Sequence, residues 1–223
     1  MDDDARPTRQ QISDAVDPSG WCLILGAIYA EVVVPTLATA AEAASVAVTS
    51  VGADGQGHLT VDIRADRAVL RLQSADAGAV TGRDIRLAHD VSRKLTAHGF
   101  EPQPGTVQAV EIAIDALDIP LVRPFWKAVT GYCDEAGSEL NAALVDPAGR
   151  APSMWFQQMD EPRPQRNRIH LDVDVPHTAA KARIDAAIAA GGRLLSDTAA
   201  PAFWVLADPE GNEACICTWQ GRD

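Results

Sequence analysis

The residues best placed for chemistry lie in one stretch, Gln165-Arg166-Asn167-Arg168-Ile169-His170-Leu171-Asp172-Val173-Asp174-Val175. It alternates with a period of two: Ile169, Leu171, Val173 and Val175 on one side, Arg168, His170, Asp172 and Asp174 on the other. That is the pattern of a strand with one face on a packed layer and the other on a polar surface or cavity. The imidazole and the two carboxylates fall within about 14 Å at the rise of a strand. The same alternation also describes a plain solvated face. What else points there decides between the two.

An internal repeat supplies a counterpart. With Val107–Asp115 set against Arg166–Asp174, Val110 falls on Ile169, Ile112 on Leu171, Ile114 on Val173 and Glu111 on His170. Each strand leads into an expected helix, Pro120–Thr130 and Thr178–Ala190, ending at Gly131 or at the Gly191-Gly192 pair. Each half then has an Asp-Pro-x-Gly turn, at Asp146–Gly149 and at Asp208–Gly211. Two such modules curl their sheets round a shared cavity. Glu111 and His170 then form an acid–base pair across it, because a nearby carboxylate raises an imidazole pKa. Trp155 and Gln157 alternate on one strand face, where the amide can bind substrate and the indole can stack or pack into the core. Arg168, with Arg163 and Arg166, suits an anionic substrate or pairing with Asp172 and Asp174. Phe125, Trp126, Phe203 and Trp204 read as core or lid packing.

The chain has 223 residues and a net charge of −12. Neither half is basic, which argues against nucleic acid and for a small-molecule ligand. Cys22, Cys133, Cys215 and Cys217 are too scattered for a disulfide framework and form no CxxC pair. The acidic start lacks a secretory pattern, and the apolar run Trp21–Ala30 is too short for a membrane span. A reduced, cytoplasmic protein without membrane association is expected. P-loop, dinucleotide glycine and Ser-His-Asp patterns do not appear.

These modules need a scaffold, and the first hundred residues have their own. Residues 1–19 read as a tail, and 101–106, around Glu101-Pro102-Gln103-Pro104-Gly105, as a stiff linker. Between them a helix is expected over Val34–Val48, then strands Val61–Arg64 and Ala68–Leu72. A second helix, over Arg83–Ala97, is capped by Thr81 and ended by Gly99. The overall expectation is α+β: an antiparallel sheet with helices over 20–100, and paired βαβββ modules over 107–223.

Residues 20–100, with Ala79-Val80-Thr81-Gly82-Arg83-Asp84 after the second strand, resemble the pterin-4a-carbinolamine dehydratase family. Of three histidines that this family uses, the resemblance leaves only His58, since Ser74-Ala75 stands where a Thr-His pair belongs. His58 is thus a catalytic candidate in a degenerate copy, or a surface loop histidine. Residues 107–223 resemble the vicinal-oxygen-chelate superfamily, close to its glyoxalase-like and bleomycin-resistance-like members. The resemblance rests on Phe125–Tyr132, Trp155–Gln158, Arg166–Asp172 and Leu206–Glu213, in family order. It implies a ligand set of Glu111, His170 and either Glu213 or Cys215 for a divalent metal (Zn, Mn or Fe), or the same cavity used without metal. It also implies a homodimer. A small-molecule lyase or isomerase follows; the alternatives are a pterin carbinolamine dehydratase and a non-catalytic binding or resistance protein.

Overall fold

The computed structural model describes Asp3 and residues 6–136, 143–162, 169 and 171–221. The chain forms two compact units, Met1–Ala109 and Val110–Asp223.

The first unit opens on a helix, α1 (Arg9–Val16), where a tail was expected. The Thr8 hydroxyl accepts from the Gln11 amide and the Gln11 side chain accepts from the Thr8 amide, a capping box that starts the helix. Ile12 and Val16 bury its inner face. There follow β1 (Cys22–Ile24), β2 (Ala27–Val33), α2 (Leu37–Val51), β3 (Leu59–Arg64), β4 (Arg67–Leu72), α3 (Gly82–Ala97) and β5 (Pro102–Gln103). Pro35 keeps Val34 out of the helical region, so α2 begins later than its apolar pattern suggests, with Thr36 as its cap.

The sheet runs β1-β2-β4-β3 and is antiparallel throughout, with β5 also beside β2. Alternate residues of β2 (Ile28, Ala30, Val32) and β4 (Ala68, Leu70, Leu72) enter one core with Ala40, Ala43, Ala44 and Ala47 of α2 and Leu87, Val91 and Leu95 of α3. The stretch expected as a linker is part of this unit, because Pro102 and Gln103 pair with Val32 and Glu31. Two paired residues are too short to show a period, so the sequence pattern could not reveal them.

In the second unit, β6 (Glu111–Ala116), α4 (Ile119–Thr130), β7 (Cys133–Asp134), β8 (Leu144–Val145) and β9 (Ser153–Gln158) form one module. β10 (Asp172–Asp174), α5 (Ala180–Ala189), β11 (Arg193–Ser196), β12 (Phe203–Ala207) and β13 (Glu213–Cys217) form the other. The repeat read from sequence returns as topology. The sheets run β6-β9-β8-β7 and β10-β13-β12-β11, each with its first strand parallel to its last and the other pairs antiparallel.

Both modules contribute to one core, in which Val122, Phe125, Trp126 and Val129 of α4 meet Ile184 and Ala187 of α5, with Met154, Leu206 and Ile216 from the strands. Two glycines allow this approach. A Cβ at Gly192 would lie 2.3 Å from Phe125, and one at Gly131 would lie 2.4 Å from Arg183. Arg183 donates to the Val129 carbonyl at 3.2 Å, placing a cation at the C-terminal end of α4. Among the described residues no helix is long and apolar enough to cross a membrane.

Candidate active site

On β6, Ile112, Ile114 and Ala116 face the core, as do Met154 and Phe156 of β9. The opposite face therefore carries Glu111 beside Ser153, Ala113 beside Trp155 and Asp115 beside Gln157. Ser153 Oγ donates to Glu111 Oε1 at 3.3 Å. Trp155 is 37 % exposed, which places it on this open face and not in the core. Exposed Gln157 stands one step along the same face.

Just past β7, Glu135 joins them. Partial burial, reinforced by the negative charge of Glu111, pushes its carboxyl pKa up. Two carboxyls, one of them raised by the other's charge, are the elements of a general base and a general acid. Sequence reasoning missed Glu135, because neither alternation nor the repeat distinguishes it.

On the second module, Asp172 pairs in register with Cys215, and Asp174 with Cys217. Glu213, Cys215 and Cys217 alternate with the core residues Ala214 and Ile216. Burial pushes the Cys215 thiol up to about 11, helped by the charge of Asp172 and a hydrogen bond to it. At neutral pH it is a protonated thiol, unsuited to nucleophilic attack. Iodoacetamide at pH 8 should accordingly alkylate exposed Cys133 first and reach Cys215 and Cys217 only on unfolding. Peptide mass spectrometry checks this, and early labelling of Cys215 would contradict the assignment.

His170 and Arg168, like Arg163 and Arg166, lie outside the described residues. Of the expected metal ligands, Glu111 therefore stands on one module, Glu213 and Cys215 on the other, and His170 is not among those placed. Among the described residues, no three His, Cys, Asp or Glu side chains could together hold a metal ion. His170, needed to complete the expected set, lies outside the described residues, and the chemistry below is built on the placed carboxyls.

Two βαβββ modules, each with its first strand parallel to its last, share one core and carry these open polar faces. Residues 111–217 match the glyoxalase-like domain family. Solved structures similar to this chain include a glyoxalase/bleomycin resistance protein from Albidiferax ferrireducens T118 (18% identity, 48% of this chain and 95% of that one, TM-score 0.39). Another is a glyoxalase/bleomycin resistance protein/dioxygenase family enzyme from Burkholderia phytofirmans PsJN (22% identity, 48% and 95%, TM-score 0.39). A third is the fosfomycin resistance protein FosX from Listeria monocytogenes, in complex with Mn(II) and sulfate (8% identity, 51% and 90%, TM-score 0.41). No curated protein matches the chain.

The two halves of the second unit are locked together beneath the open faces. Asp208 is fully buried and accepts from Trp126 Nε1 at 3.0 Å, Asn212 Nδ2 at 2.8 Å, and the amides of Glu210 at 3.0 Å and Asn212 at 2.8 Å. Glu210 spans the amides of Leu117 and Asp118 at 2.9 and 2.7 Å, where a carboxylate suits the positive end of α4. The Asp208–Gly211 turn thus holds the strand that carries Cys215 against the helix that follows Glu111.

In the first unit, His58 is no exposed loop residue. Its Nδ1 lies 2.7 Å from Asp84 Oδ1, and the two side chains are 11% and 0% exposed. Asp84 Oδ2 also accepts from the Thr81 amide and hydroxyl, both at 2.7 Å, so the acid that caps α3 also orients the imidazole. Elsewhere in this unit a cavity of about 590 Å³ opens between Asp17–Gly20, α3 and Pro102. Two polar groups of its wall are already engaged: Ser92 with Trp21 and Ser19, and His89 with the Ala15 carbonyl.

Proposed function

We propose that the glyoxalase-like domain is a small-molecule lyase or isomerase that moves protons at the Glu111–Glu135 pair. The observation that carries this reading is the carboxyl of Glu135, raised by burial and by the charge of Glu111, which itself shares an open strand face with Trp155. Glu111 takes a proton from a hydroxyl-bearing carbon next to a substrate carbonyl, while protonated Glu135 gives one to the carbonyl oxygen, leaving an enediol. Delivering the Glu111 proton to the former carbonyl carbon, while Glu135 takes the proton of the other enediol hydroxyl so that its carbon becomes the carbonyl, yields an isomer. Expulsion of a leaving group from the adjacent carbon instead yields an elimination product. Trp155 stacks on the substrate and Gln157 and Asp172 bind its polar groups; His170, the counterpart of Glu111 in the sequence repeat, and Arg168 are proposed as further members.

The test uses Trp155 as the reporter. Small hydroxycarbonyl compounds are screened for fluorescence quenching that disappears in W155F. Proton NMR then follows loss of the substrate carbon-bound proton in D2O. Exchange that stops in E111Q and E135Q is expected. Binding without exchange would instead favour a non-catalytic binding or resistance protein.

The His58–Asp84 pair favours a second reading, in which the first unit dehydrates a pterin carbinolamine. An imidazole held by a buried carboxylate can protonate a departing hydroxyl. Carbinolamine dehydration by wild type, lost in H58A, is the expected result; an uncatalysed rate with wild type would end this reading.

A further inference from the structure

We propose that the open face of the first sheet carries an oxyanion-binding site built on Arg71, for a small molecule bearing a carboxylate or phosphate group. Tyr29, Arg71 and Thr60 lie opposite one another on β2, β4 and β3 and form one row across the sheet, on the face away from the helices. Arg71 is half-buried and held from two sides. Its Nε donates to the Tyr29 hydroxyl at 3.1 Å, and its Nη2 donates to Gln73 Oε1. Gln73 is itself fixed, since its Nε2 donates to the Gly26 and Gly78 carbonyls at 2.9 and 3.0 Å. The guanidinium carbon lies 6.0 Å from the centre of the Tyr29 ring.

Among the described residues, no carboxylate pairs with Arg71 and none accepts from its Nη1. The acids of the adjoining row are taken. Glu31 accepts from Arg67 at 3.2 Å and Asp62 from Arg64 at 2.8 Å. In a chain of net charge −12, a cation fixed in place and partly withdrawn from water, yet left without an acid, is poised for an anion from outside. The planar fork suits two parallel hydrogen bonds to a carboxylate or phosphate. Because Tyr29 and Gln73 already hold it, little side-chain freedom is lost on binding. The acids of the next row and the overall charge disfavour an extended polyanion and point to a small ligand.

The test is an NMR titration of the full chain with inorganic phosphate and, separately, benzoate, at ionic strength held constant with chloride. Saturable shifts of the Arg71 Nε–H and the Tyr29 ring are expected with at least one of them. Phosphate alone, benzoate alone or both would assign the ligand to phosphates, to carboxylates or to either. R71K keeps the charge without the fork and should weaken binding about tenfold. Q73A keeps the guanidinium but frees it, and should weaken binding severalfold. R93Q, a change at an exposed arginine of α3, should bind as wild type. Absence of saturable shifts with both anions, or wild-type binding by both R71K and Q73A in folded protein, would overturn the proposal.

Discussion

Replacing Asp208 with alanine is expected to destabilise the second unit by about 3–5 kcal/mol. The carboxylate is fully buried and is the common acceptor of four hydrogen bonds. Its loss strands the indole N–H of Trp126, itself 1% exposed, and two amides of the turn. Leaving buried donors without an acceptor costs about 1–3 kcal/mol each, more than the net worth of a bond between neutral groups. The turn also carries Glu210 to the start of α4, so loosening it removes the anion at that helix end as well. D208N keeps the shape and one acceptor oxygen, and should fall between wild type and D208A. Urea unfolding followed by tryptophan fluorescence measures this. A shift of under about 1 kcal/mol with D208A would show that the buried network is not what joins the modules.

The second large effect is catalytic. For a substrate found by the Trp155 screen, E135Q should lower turnover by about 10²- to 10⁴-fold, the usual contribution of a positioned general acid. The same substitution has a signature on stability. The Glu135 carboxyl is raised above its ordinary value of 4.5 by burial and by Glu111. The folded state therefore holds this proton more tightly than the unfolded state. The contribution is fully present below 4.5 and is lost as pH rises through the raised folded value. Above that window, wild type bears a penalty for an ionised, partly buried Glu135 that E135Q escapes. E135Q should thus melt higher than wild type at pH 8 and level with it at pH 4. E111Q removes the charge that raises Glu135 and should narrow the window. An E135Q protein that loses activity without gaining stability at pH 8 would point to misfolding and not to a missing acid.

Legibility from sequence followed the period of the elements. The alternation in Val107–Asp115 and the Asp-Pro-x-Gly turns set out the modules, and the parallel pairing of first and last strands bears out their repetition. α3 was legible as well, because Thr81 and Gly99 mark its ends and its apolar face repeats at helical spacing. β5 and α1 were not. The first is too short for a period, and the second lies in a polar stretch whose capping box is a local signal that a frayed tail can mimic. Glu111 was visible through the repeat, and Trp155 was visible as a strand residue whose face stayed open to two readings.

What the sequence by itself determined is which residues share a strand face, since alternation follows from backbone geometry alone. From that came the polar face at His170, its counterpart at Glu111, and the cysteines of the last strand. Only the tertiary structure decided what those faces meet. It placed Glu135 near Glu111, although neither period nor repeat links them. It buried Cys215 beside Asp172, and burial and that neighbour together push the thiol up to about 11. It also set Asp84 on His58 and, among the described residues, left Arg71 without an acid. Charge, burial and pKa depend on neighbours distant along the chain, and the folded core alone brings those neighbours together.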